Sequence, residues 1–206
     1  VEEFENAIAG RVGAKYAVAV SSGTAALHLA CLASGLNDKS FALTSSITFV
    51  ASANAIAYCR AKVGLCDIDQ DSLNLSLDSL KHALTRNPKT EVIIPVHFAG
   101  LAHNAAELRE ISENRVIIED AAHALGAVYS CGRPVGCCYY SDMTVFSFHP
   151  VKPVTTGEGG VITTNNDVFA RHLKIMRTHG IVRELEYFNN SELGIEDGKK
   201  LPWYYE

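Results

Sequence analysis

Glu91-Val92-Ile93-Ile94-Pro95-Val96-His97-Phe98 is the stretch that decides the fold. Its apolar residues run together instead of alternating with polar ones. A strand with one wet face alternates, so this strand is expected to be buried on both faces. Burial on both faces requires helices above and below the sheet. Working outward, strands are expected over 16–20, 41–45, 62–68, 91–98, 116–120, 145–148 and 161–164. Helical patterns fall between them, over 24–34 with Gly35 as the stop, over 49–59, from a Ser76 cap through Leu84, and over 105–112. Asn166 is expected to cap a helix reaching about Thr178. Val1-Glu2-Glu3-Phe4-Glu5 reads as part of an amphipathic helix, and 188–200, polar and glycine-containing, as a loop or linker. Strands alternating with helices predict an α/β architecture: a mostly parallel, seven-stranded sheet with helices on both faces.

Composition narrows the partners. The 206 residues are 48% hydrophobic and 20% charged, enough apolar chain for a sizeable core. A net charge of −5 argues against nucleic acid or an anionic membrane as partner. No apolar run approaches the ~18 residues of a membrane span, no signal-peptide pattern opens the sequence, and a cytoplasmic setting is expected. The six cysteines, Cys31, Cys59, Cys66, Cys131, Cys137 and Cys138, lack zinc-type spacing and are expected to be reduced thiols.

Ligands of such sheets bind beyond the carboxyl ends of the strands. Ser22-Gly23-Thr24, His97, Glu119-Asp120 and Ser147 all fall there. Ser21-Ser22-Gly23-Thr24-Ala25-Ala26-Leu27 follows a strand and opens a helix, which suits either an anion site or an ordinary Ser/Thr cap. It is neither a Walker A loop nor a dinucleotide fingerprint. Ile118-Glu119-Asp120-Ala121-Ala122-His123 ends a strand in two acids. Such a carboxylate can orient a cationic ring nitrogen, act as a base or sit solvated in a loop; no ligand pattern supports a metal. Lys152 lies in Ser147-Phe148-His149-Pro150-Val151-Lys152-Pro153, ahead of Thr155-Thr156-Gly157-Glu158-Gly159-Gly160. Prolines on both sides restrict the backbone, and a lysine held in apolar surroundings loses proton affinity and becomes a nucleophile toward carbonyls. A Schiff-base lysine, a carboxylate for a pyridinium nitrogen and a helix N-terminus for a phosphate are the parts a protein supplies to pyridoxal 5′-phosphate (PLP).

These segments, together with Ile47-Thr48-Phe49-Val50-Ala51-Ser52-Ala53-Asn54-Ala55 and Phe146 through Gly160, resemble the DegT/DnrJ/EryC1/StrS sugar aminotransferases of the aspartate-aminotransferase-like (type I PLP) fold. The resemblance implies that Lys152 forms the Schiff base and that Asp120 pairs with the pyridine nitrogen. It implies that Phe49 stacks on the ring, that Gly23, Thr24, Ala25 and Ser147 hold the phosphate, and that His123 lies near the phenolic oxygen. His97 and Glu158 are implied on the sugar side. It further implies a homodimer with shared sites, an amino acid donor such as glutamate, and a nucleotide-linked 4-keto-6-deoxy sugar as acceptor in surface-polysaccharide or nonulosonic-acid synthesis. His149-Pro150-Val151-Lys152-Pro153, Thr178-His179-Gly180-Ile181 and Trp203-Tyr204-Tyr205-Glu206 are most similar to the enzymes of pseudaminic-acid synthesis. Against that family, 1–206 is expected to be the PLP-binding large domain, truncated at both ends and without the C-terminal small domain. A PLP-dependent sugar dehydrase, the branch with histidine in place of the lysine, and a non-catalytic PLP-binding fragment are the alternatives.

Overall fold

Alternating side chains within buried strands divide the core into two faces. The computed structural model describes residues 1–206. Its main sheet has the order β1-β7-β6-β5-β4-β2-β3. The strands are β1 (Tyr16–Val20), β2 (Phe41–Ser45), β3 (Lys62–Cys66), β4 (Val92–Ile94), β5 (Val116–Asp120), β6 (Met143–Ser147) and β7 (Gly160–Thr164). All neighbours pair in parallel except at β7, which runs antiparallel to both β1 and β6. No helix intervenes between β6 and β7, and a parallel return needs a crossover, commonly a helix.

On one face, Val18, Ile94, Ile118, Val145 and Ile162 pack with residues of α2 (Gly23–Ala33), α3 (Ala51–Tyr58) and α6 (Asp167–Arg177). On the other, the adjacent Ala17, Phe146 and Val161 meet α1 (Glu2–Val12). Leu43, Ile93 and Ile117 meet α4 (Leu77–Arg86) and α5 (Ala105–Ser112) on that face. Each fully buried aliphatic side chain of this kind contributes about 1.5–3 kcal/mol. Ser76 caps α4 by accepting the Ser79 N–H at 3.3 Å, and Asn166 caps α6 by accepting the Val168 N–H at 2.8 Å. All six cysteines are free, and no helix is long and apolar enough to cross a membrane.

Several expected elements change: the strand expected over 62–68 ends at Cys66, that over 145–148 spans Met143–Ser147, and three others differ for local reasons. The strand over 91–98 stops at Ile94, because Pro95 has no N–H to continue the ladder. Val96 makes a single bridge to Asp120 and the chain then turns at Phe98–Gly100. The helix expected from Phe49 begins at Ala51, since the Ser52 N–H bonds the Phe49 carbonyl and closes a turn first. The segment 188–200 contains a small hairpin, β8 (Ile195–Glu196) paired with β9 (Lys199–Lys200), turned by Asp197 and Gly198 with φ of 49° and 74°. Positive φ at both positions is the type I′ geometry that Asp-Gly favours.

Candidate active site

The carboxyl ends of β1, β5 and β6 open onto a cavity of about 770 Å³. At the β1 exit, Ser22 caps α2 by accepting the Ala25 N–H at 3.1 Å. That engages the Ala25 amide with Ser22, and Ala25 does not line the cavity. Gly23 and Thr24 do line it, and N–H groups in a first helical turn have no intrahelical acceptor. Ser147, at the end of β6, completes the rim; a Cβ on Gly23 would lie 2.8 Å from Ser147 Cβ. Glycine is therefore what lets the β6 hydroxyl close on the start of α2. Two backbone amides and two hydroxyls at a helix N-terminus form an anion cradle.

Asp120 ends β5 and is 5% exposed. Its Oδ2 accepts from Ser52 Oγ at 2.6 Å and its Oδ1 from the Ala122 N–H at 3.2 Å. Its backbone is tied on both sides, N–H to the Pro95 carbonyl at 2.9 Å and carbonyl to the His97 N–H at 3.0 Å. Phe49, 72% exposed, stands in the cavity wall at the mouth of α3.

Lys152 reaches the same cavity from the turn after β6, where its N–H bonds the His149 carbonyl at 2.9 Å. Its Nζ lies 2.7 Å from His123 Nε2. Burial pushes the Lys152 ammonium below its ordinary pKa, with the Asp120 charge pulling the other way. Burial, then the Lys152 charge, push His123 down as well, against Asp120. The pair is thus disposed toward neutral amine and neutral imidazole. Glu158 lines the cavity on an exposed turn, 4.0 Å from His149 Nε2.

His97 lines the cavity, and its imidazole is fully buried and faces Glu119. A buried carboxylate draws in every available donor. Glu119 takes Tyr129 OH at 2.8 Å, Ser141 Oγ at 2.8 Å and Thr144 Oγ1 at 2.7 Å. His103 Nε2 lies 3.1 Å and His97 Nε2 3.5 Å from its Oε1. His97, His103 and Glu119 sit close enough together to suggest a metal centre. However, His97 Nδ1 accepts the His103 N–H at 3.3 Å, which leaves the proton on Nε2, where it faces Glu119 as a donor. In that tautomer His97 Nε2 points its proton toward Glu119 Oε1 across 3.5 Å, directly behind Asp120. Ser52, Thr48, His103 and Tyr129 were not singled out from the sequence. For Ser52, the four-residue spacing from Thr48 at a helix start was the available signal.

The model of the DegT/DnrJ/EryC1/StrS aminotransferase family matches residues 1–197. The UDP-4-amino-4,6-dideoxy-N-acetyl-beta-L-altrosamine transaminase of Campylobacter jejuni is 42% identical over 191 residues, covering 89% of this chain and 48% of that protein. GDP-perosamine synthase of Caulobacter vibrioides is 39% identical, covering 91% of this chain and 50% of that protein. The chain thus spans about half the length of these curated relatives. Among solved structures, the PLP form of Spr1654 from Streptococcus pneumoniae superposes with a TM-score of 0.82 at 29% identity, covering 100% of this chain and 52% of that one. The family model covers the strands and turns that carry Gly23, Asp120 and Lys152, and the chain belongs to the DegT/DnrJ/EryC1/StrS aminotransferase family.

Proposed function

We propose that residues 1–206 form the PLP-binding large domain of an aminotransferase acting on a nucleotide-linked 4-keto-6-deoxy sugar, with an amino acid, glutamate foremost, as donor. The observation that carries this reading is the 2.7 Å approach of Lys152 Nζ to His123 Nε2 in a cavity that also holds Asp120. The residues fit the cofactor. The Gly23 position admits no Cβ, the Gly23–Thr24 amides and the Thr24 and Ser147 hydroxyls suit a phosphate, and Phe49 offers a ring face. Bound there, PLP supplies an electron sink for the carbon that carries the amino group.

The side chains divide the work. Lys152 Nζ, with lowered proton affinity, serves as the nucleophile toward the cofactor carbonyl and as a carrier of protons. His123 Nε2 orients that amine and shares its hydrogen. Asp120 holds a cationic ring nitrogen in place. Glu158 stands at the mouth, where a sugar hydroxyl enters. The similarity to the altrosamine transaminase favours a UDP-linked N-acetylhexosamine, whereas GDP-perosamine synthase shows that relatives differ in the nucleotide. A sugar dehydrase is disfavoured because Lys152 occupies the position at which that branch carries histidine. We further propose a cytoplasmic homodimer. Phe49, Val50 and Val151 are 72%, 56% and 71% exposed around the cavity mouth, an apolar rim that a second subunit would cover.

Two measurements test the reading in the full-length protein. Purified protein should show the absorbance of lysine-bound PLP, fixed irreversibly by borohydride and absent in Lys152→Ala. Amino transfer from glutamate to a UDP-4-keto-6-deoxy sugar should vanish in the same variant. Unchanged turnover in Lys152→Ala would sink the assignment.

A further inference from the structure

Ser52 is fully buried in the first turn of α3, and no role in binding or chemistry has yet accounted for it. Its Oγ lies 2.6 Å from Asp120 Oδ2 and 2.7 Å from Thr48 Oγ1. Chemistry fixes the direction of both contacts. An ionised carboxylate only accepts, so the single Ser52 proton is committed to Asp120. Ser52 must then accept from Thr48, whose own proton is committed in turn. The competing contacts to the Phe49 carbonyl are longer, 3.2 Å from Thr48 and 3.4 Å from Ser52.

We propose that Thr48 and Ser52 form a one-way hydroxyl relay that positions Asp120 and keeps its negative charge facing the cofactor's ring nitrogen. The relay rests on the PLP reading of the site. Ser52 saturates one side of Oδ2 while the Ala122 N–H saturates one side of Oδ1. Each oxygen keeps a further lone pair for a cation in the cavity. A hydrogen bond to a charged acceptor in a shielded site is among the stronger ones a protein makes, and cooperative donation from Thr48 strengthens it. The same turn carries Phe49, so residues 48–52 would set both an aromatic face of the cavity and the orientation of the Asp120 carboxylate.

Removing the relay should leave the carboxylate with one donor, free to turn away from the cavity and less able to favour a proton on a ring nitrogen held there. A less cationic ring withdraws less from the nitrogen linked to Lys152, so the pH midpoint of the bound cofactor's absorbance should rise. Ser52 is a positioning residue, and the readouts are chosen to separate that role from packing.

The experiment compares full-length wild type, Ser52→Ala, Ser52→Thr, Thr48→Val and Lys152→Ala, each loaded with PLP. It measures absorbance against pH and cofactor retention on dilution. Ser52→Ala is expected to raise the midpoint by about one unit and to retain PLP about tenfold more weakly. Ser52→Thr restores a donor and should return both values toward wild type. Thr48→Val keeps the shape, removes the upstream donor and should shift the midpoint in the same direction by less. A folded Ser52→Ala with wild-type midpoint and retention overturns the relay. A shift that Ser52→Thr does not reverse and Thr48→Val does not share marks a packing effect and overturns it too. Failure of the underlying PLP reading is visible separately, as wild-type absorbance that survives in Lys152→Ala.

Discussion

Asp120 shows how much a single side chain owes to its neighbours. Two backbone bonds fix its main chain, and Ser52 and Ala122 fix its carboxylate. Asp120→Asn preserves size and most of this geometry but removes the charge proposed to face the ring nitrogen. The full-length variant is expected to fold normally and to lose about 10²–10³ in turnover, the loss seen when a preorganised electrostatic partner is removed. Steady-state kinetics beside a thermal melt checks this, and near-normal turnover would mean another group orients the ring. Asp120 and Lys152 were legible in the sequence because each interrupts an apolar run at a strand end or between prolines. Ser52 was not, since a serine at a helix start also reads as a simple cap. His97 lines the cavity as expected, but its imidazole turns toward Glu119. A lone histidine after a strand does not reveal which face it takes once Pro95 has broken the ladder, and here the buried charge of Glu119 takes it.

At the scale of elements, the junction of α2, β6 and β7 holds the anion cradle together. Gly160 pairs with Val20 on one side and Ser147 on the other. A Cβ there would collide with the Ser22 carbonyl, a backbone atom that cannot swing away. Gly160→Ala is expected to cost about 3 kcal/mol, or about 10 °C in melting temperature, and to weaken PLP retention because Ser22 caps the cradle helix. Gly10→Ala makes a useful contrast. It lies in α1 with nothing within 4 Å of the added Cβ, and should gain about 1 kcal/mol from helix propensity alone. Calorimetry that ranks the two variants the other way would refute this packing account. Elements with unbroken apolar periodicity were legible, and 105–112 and 116–120 have the bounds expected of them. The shortened β4 and the β8–β9 hairpin were set by local chemistry that overrode the apolar pattern, the missing N–H of Pro95 and the Asp197-Gly198 turn. The antiparallel run of β7 follows from the short link to β6, whereas its second neighbour, β1, is a long-range choice that local pattern does not encode.

The whole molecule is tied together by one buried charge. Glu119 joins β5 to Thr144 of β6 and to Tyr129, Ser141, His97 and His103 in the surrounding loops, directly behind the strand end that carries Asp120. Burial works to raise its pKa, but the hydrogen bonds from His103 and His97 and their charges prevail and hold it well below the ordinary value of 4.5. His103 is pushed down from 6.5, first by burial and then by His97, against the pull of Glu119. Both shifts have the same consequence. A group whose folded pKa is depressed binds fewer protons folded than unfolded, so stability falls as pH drops below the unfolded value. For His103 the loss begins as pH falls below about 6.5, where the unfolded chain takes up a proton that the folded site refuses. For Glu119 the stabilisation is fully present above about 4.5 and is lost below it, as pH falls toward the folded pKa. Each uncompensated proton steepens the decline by about 1.4 kcal/mol per pH unit. Denaturant unfolding between pH 8 and pH 4 should therefore show a plateau at the alkaline end, a first decline near pH 6 and a steeper one near pH 4. Glu119→Gln should be less stable than wild type at pH 7 and should lack the second decline. Because Glu119 sits behind the Asp120 carboxylate, PLP retention should fall with the same pH profile, and a flat stability curve from pH 7 to pH 4 would show that this buried network does not hold the site.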